Sequence, residues 1–131
     1  MVTRGSYNDK RKIVYSQFLS DTSTLNTGAG IYYFTIPEEF NELKLLKAEA
    51  FNNTESSSGN VSLMIRNTTI GADMLTTGIT IEQSEYSSYT ATVPSVVDPT
   101  NNTVSTGDRL AVDCYANGTG TKGVGIILTF E

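Results

Sequence analysis

The chain has 131 residues, nine basic and fourteen acidic side chains, a net charge of −5 and no histidine, so one domain is expected and imidazole-based nucleophile pairs and metal sites are excluded. A single cysteine, Cys114, excludes an intrachain disulfide framework and a thiolate zinc site. The acidic balance lacks the basic stripe of a nucleic-acid binder, no apolar run nears the roughly 20 residues of a membrane span, and the N-terminus has no apolar signal core.

Residues 1–12, MVTRGSYNDKRK, carry Arg4, Lys10, Arg11 and Lys12 against Asp9, a local charge of +3, which leaves −8 on residues 13–131. This segment reads either as a solvated terminus or as a basic arm that orders on an acidic partner with Tyr7 as its apolar anchor. Residues 13–131 form the expected single domain. Nineteen Thr, thirteen Ser and ten Asn against three Pro and no Trp suit pleated strands joined by polar turns.

Residues 13–19 read as an edge strand and 20–30 as a loop. Residues 31–36 (IYYFTI) are a strand with Tyr32, Phe34 and Ile36 on one face, and Pro37 stops it. PEEFNEL suits a helical turn, since Pro fits a first helical position and acids fit the first turn. Residues 43–52 have helix-forming composition, but their length and position favour a strand with Leu46, Ala48 and Ala50 inward. After the polar loop 52–59, residues 61–66 alternate with Val61, Leu63 and Ile65 on one face. Residues 79–82 and 88–93 are shorter strands, and 94–107 are a long connection. Residues 108–115 place Leu110, Val112 and Cys114 inward and Arg109, Ala111 and Asp113 outward. The final strand, 124–130, buries Val124, Ile126, Leu128 and Phe130. About eight strands with regular turn signals predict an all-β fold, an antiparallel two-sheet β-sandwich of jelly-roll type.

GTGTKG at 118–123 resembles a phosphate loop only superficially, because it leads into a strand rather than a helix; a hairpin turn explains it. Asp73, Asp108 and Asp113 are the carboxylates that a metal or hydrolytic site would use. Asp108 and Asp113 lie five apart on one strand and point to opposite faces, and Asp108 after Gly107 suits backbone capping at a strand entrance. No catalytic, metal or cofactor residue is assigned, and the chain is expected not to be an enzyme. The Asn-x-Ser/Thr triplets at Asn52, Asn60, Asn67, Asn101 and Asn117 follow from composition. Cys114 reads as a small core residue. Tyr86 and Tyr89 in QSEYSSYT form an outward loop that either stacks on sugars or packs on a neighbouring subunit.

Three segments carry a family resemblance: Ile65-Arg66-Asn67 followed by Asp73-Met74-Leu75, then Thr106-Gly107-Asp108-Arg109-Leu110, then Gly120 to Gly123 before the last strand. Residues 31–131 resemble a β-sandwich domain of tailed-bacteriophage structural proteins, which include head fibres, capsid decoration proteins and tail-fibre tips. These motifs are turns and strand starts and imply no catalytic residues. A domain starting at its own Met1 with a short basic arm fits a decoration (cement) protein better than a fibre tip, which needs a shaft. The resemblance implies a virion localisation on the capsid surface, a homotrimer, and the major capsid protein as partner, with Arg4, Tyr7, Lys10, Arg11 and Lys12 as the docking arm. The alternative is a receptor- or carbohydrate-binding module that takes a host surface glycan through Tyr86 and Tyr89.

Overall fold

Alternating apolar residues become the inner faces of two antiparallel sheets in the computed structural model, which describes residues 11–131. One sheet has β1 (Lys12–Ser16), β10 (Gly125–Phe130) and β3 (Leu45–Phe51) in the order β1-β10-β3. The other has β2 (Gly28–Thr35), β9 (Arg109–Asn117), β4 (Val61–Asn67) and β5 (Ala72–Asp73) in that order, with β7 (Ile79–Ile81) also on β4. A ribbon of β6 (Leu75–Thr77) and β8 (Val96–Val97) lies beside them. The fold is all-β, as predicted, with ten strands among the described residues rather than eight: the two- and three-residue strands β5, β6 and β8 are added, and the predicted strand 88–93 is absent.

Ile126, Leu128 and Phe130 of β10, Val61, Leu63 and Ile65 of β4, and Leu110, Val112 and Cys114 of β9 are all buried in one apolar cluster. Each large side chain there contributes about 1.5–3 kcal/mol by leaving water. The predicted helical turn after Pro37 is a 3-10 turn, Glu38–Phe40, and its Phe40 ring meets Phe130 edge-on at 5.4 Å. Residues 118–123 are a turn but not the expected hairpin, because β9 and β10, which they join, lie in different sheets; Gly118 has φ +62, and Thr119 donates its amide to Ser56 Oγ at 2.9 Å.

Three more expectations are corrected. Residues 88–93 are not a strand: Ser88–Thr90 form a 3-10 turn that Ser87 caps by accepting the Tyr89 amide. Serine hydroxyls compete with ladder bonding in this way. Leu46 faces solvent, 41% exposed, while Leu45 is buried. The register between β10 and β3 skips there, pairing Phe130 with Leu45 but Thr129 with Lys47, so Leu46 is a bulge residue that resets the alternation. On β9, Ala111 and Asp113 are buried, not outward. Strand β9 is central, between β2 and β4, and Tyr33 and Arg66 flank Ala111 across both ladders. Long side chains from neighbouring strands therefore roof the outer face of this sheet.

Candidate functional site

Of the predicted docking residues, Arg4, Tyr7 and Lys10 lie outside the described residues. Arg11 and Lys12 are exposed where the chain enters β1. Lys12 pairs with Phe130, and Phe130 with Leu45. Next to Leu45, Lys44 exchanges two backbone hydrogen bonds with Glu131, both 2.9 Å. One row further, Ile13 pairs with Thr129 and Thr129 with Lys47. Arg11, Lys12, Lys44 and Lys47 are thus gathered at one end of the three-stranded sheet, four of the seven cationic side chains among the described residues. Exposed Ile13 and Leu46 sit at this end, and β1 pairs only with β10, so its other edge carries no strand partner among the described residues. The sequence placed the charge in the arm; the register adds Lys44 and Lys47, which are over thirty positions away.

Further along the same outer face the surface becomes aromatic. Gly125 pairs with Phe51, and a Cβ on Gly125 would lie 2.2 Å from Phe51 Cζ. The bare glycine lets the Phe51 ring lie across β10 and stack on Tyr15 of β1, with centroids 5.2 Å apart and planes at 24°. Tyr15, Tyr86 and Tyr89 are more than half exposed. The two loop tyrosines are therefore outward, as predicted. The Asn52 amide bonds the Tyr86 carbonyl, seven residues along β3 from the basic end, or about 23 Å at strand rise. Arg11 and Lys12, and the tyrosine loop, lie toward opposite ends of one sheet.

Between them the segment after Tyr86 covers the outer edge of β3. Ser88 Oγ accepts the Ala50 amide at 3.0 Å, and Ser95 Oγ donates to the Ala48 carbonyl at 2.8 Å. Side-chain hydroxyls thereby stand in for a missing strand at an exposed edge. They hold the segment off β3 far enough to leave a half-open cleft of about 230 Å³, lined by Lys47, Glu49, Ser88, Tyr89, Pro94 and Ser95 among others. Partial burial of the phenol, then the Glu49 carboxylate beside it, raises the Tyr89 pKa above its ordinary value. Nothing in the sequence announced the cleft, because it requires the β3 register and the two serine contacts together.

On the opposite face of the sandwich, β2 bulges between Gly28 and Tyr32. Asp113 fills the broken ladder, accepting the Gly30 amide at 2.7 Å and Arg66 Nε and Nη2 at 2.8 and 2.9 Å. The Arg66 hydrogen bonds, opposed by burial and aided by the Gly30 amide, lower the Asp113 pKa. The Arg109 guanidinium lies 3.9 Å from the centre of the Tyr33 ring. This network closes a bulge and satisfies a buried carboxylate, so its role is structural. Asp108, as expected, caps a strand entrance, accepting the Ser105 amide at 3.0 Å and Asn67 Nδ2 at 2.9 Å. Asp73 is exposed, and no group of three metal-ligating side chains occurs among the described residues. Cys114 is buried, and desolvation pushes its thiol up to about 11.

No protein-family model matches the chain, and no curated protein or solved structure matches it either.

Proposed function

We propose that the protein is a non-enzymatic structural component of a tailed-phage virion, a decoration protein that docks on the major capsid protein and braces the shell as a homotrimer. The observation that carries this reading is the gathering of Arg11, Lys12, Lys44 and Lys47, four of the seven cationic side chains among the described residues, at one end of the three-stranded sheet, where Glu131 and the Glu38–Phe40 turn also lie. Ile13 and Leu46 supply apolar area there, and the edge of β1 offers backbone groups for strand addition. Complementary charge steers such a contact and makes it salt-dependent. Three arms per trimer multiply a weak single contact.

Capsids lacking the protein provide the test. The full chain should bind them saturably, and replacing Arg4, Lys10, Arg11 and Lys12 together by Ala should weaken binding and flatten its salt dependence. Undiminished affinity in that variant, or no capsid binding by the native chain, refutes the proposal. The exposed tyrosine loop and the cleft beside it favour a second reading, a carbohydrate-binding module, because Tyr89 and several polar side chains line one recess.

A further inference from the structure

We infer that the cleft between β3 and residues 88–95 is a subsite for one pyranose ring of a neutral polysaccharide. Its volume, about 230 Å³, falls below the roughly 300–1,000 Å³ of pockets for drug-sized ligands. It admits a single ring with the rest of a chain outside. Tyr89, 66% exposed, walls one side with an aromatic face, the surface on which the apolar C–H face of a sugar packs. Glu49 lies beside it in the lining.

The polar lining has unused hydrogen-bonding capacity of both signs. Ser88 Oγ accepts from Ala50, which leaves its own O–H free to donate. Ser95 Oγ donates to Ala48, which leaves its lone pairs free to accept. Lys47 adds donors and Glu49 adds acceptors, two residues apart on one strand and of opposite charge. Donors and acceptors lining one recess with an aromatic ring suit the hydroxyls of a pyranose, each of which donates and accepts. The presence of both Lys47 and Glu49 in the lining also sets the charge class. A uronate would gain from the ammonium and lose against the carboxylate, whereas a neutral ring meets both as hydrogen-bond partners. Tyr15, exposed and stacked on Phe51, extends the aromatic surface beside the mouth, where a following sugar unit would lie.

This inference rests on the carbohydrate-binding reading; the site shares Lys47 with the basic end but includes none of Arg4, Lys10, Arg11 and Lys12, so the experiment keeps the two separable. The ¹⁵N-labelled full-length chain is titrated separately with methyl glycosides of glucose, galactose, mannose, N-acetylglucosamine and glucuronic acid, followed by two-dimensional amide NMR. At least one neutral glycoside should give saturable shifts confined to residues 47–49, 80 and 88–95, and the glucuronide should bind more weakly. Tyr89→Ala should weaken binding about tenfold, matching the upper end of an aromatic contact, with the dispersion of the core resonances intact. Tyr89→Phe should retain most of the affinity, because the stacking face survives. The variant with Arg4, Lys10, Arg11 and Lys12 replaced by Ala should bind the glycoside as the native chain does, whatever its capsid affinity. No saturable shift with any neutral glycoside, shifts centred elsewhere, or binding undiminished by Tyr89→Ala would overturn the inference.

Discussion

The pair Arg66–Asp113 predicts an asymmetry between its two partners. The Asp113 side chain is 3% exposed and that of Arg66 29%. Asp113 sits on β9, a central strand, so its carboxylate reaches water only if the sheet opens; the Arg66 guanidinium is already near the surface. Arg66→Met strands a buried charge with the Gly30 amide as its remaining partner. It should cost about 3–4 kcal/mol, toward the low end for a broken buried pair because the pair is partly wet. Asp113→Asn leaves a guanidinium that can swing outward, and should cost about 1.5–3 kcal/mol, the value of hydrogen bonds to a charged group. The double variant should cost less than the two singles combined, by about 1–3 kcal/mol of coupling. The acid limb gives a second readout. Arg66 foremost, then the Gly30 amide, holds the folded pKa of Asp113 below its unfolded value against the upward push of burial. Its contribution is therefore complete above about pH 3.9 and is lost as the pH falls through the folded pKa. Urea titrations followed by circular dichroism and tyrosine emission, repeated from neutral pH into acid, measure both effects. The native chain should lose stability below about pH 4 more steeply than Asp113→Asn. An Arg66→Met cost below about 1 kcal/mol, or equal acid slopes, would refute the assignment of this pair as the lock on the β2 bulge.

Two further outcomes follow from packing. Gly125→Ala would place a Cβ 2.2 Å from Phe51 Cζ and 2.7 Å from the Ser16 carbonyl oxygen; the ring can move but the backbone cannot, so the loss should be about 1–3 kcal/mol in urea titration. Trimming the ring with Phe51→Leu should not restore stability, and full restoration would show that the glycine serves the aromatic stack alone. Cys114, with its thiol pushed up to about 11 by burial, should resist a thiol-specific disulfide reagent in the native chain and react stoichiometrically in urea. Rapid native-state labelling would show that β9 opens.

Legibility from the sequence tracked how much a feature depends on its own strand. The core faces of β4 and β10 were readable because Val61, Leu63 and Ile65, and Ile126, Leu128 and Phe130, recur at period two, although Met64 and Thr129 are buried as well. β9 was half readable: Leu110, Val112 and Cys114 obeyed the period, but the burial of Ala111 and Asp113 comes from Tyr33 and Arg66 on neighbouring strands. The segment 88–93 had strand-like composition; the local cap by Ser87 and the contact of Ser88 with Ala50, thirty-eight residues away, turn it into a 3-10 turn instead. Tyr86 and Tyr89 were legible as outward because polar residues flank them. The cleft they border was not, since it is the gap left when hydroxyls, rather than a strand, cover the β3 edge. The arm's charge was visible by counting; its continuation into Lys44 and Lys47 required the ladder.

Both proposed sites depend on one register detail. Leu45, Ala48 and Ala50 are all buried, which strict alternation forbids because 45 and 48 differ by an odd number. Without an extra residue, burying Leu45 would turn Lys47 and Glu49 into the core and Ala48 and Ala50 out to solvent, since a one-residue slip exchanges the faces of a strand. The bulge at Leu46 absorbs the mismatch between Phe130–Leu45 and Thr129–Lys47. It keeps the apolar layer continuous and leaves Leu46 at the basic end. The same residue sets Lys47 and Glu49 where they line the cleft. Bulges re-aim side chains in this way at sheet edges. In β3 the device sets a cationic end and a polar recess lined by Tyr89 side by side, sharing Lys47, within seven residues of chain.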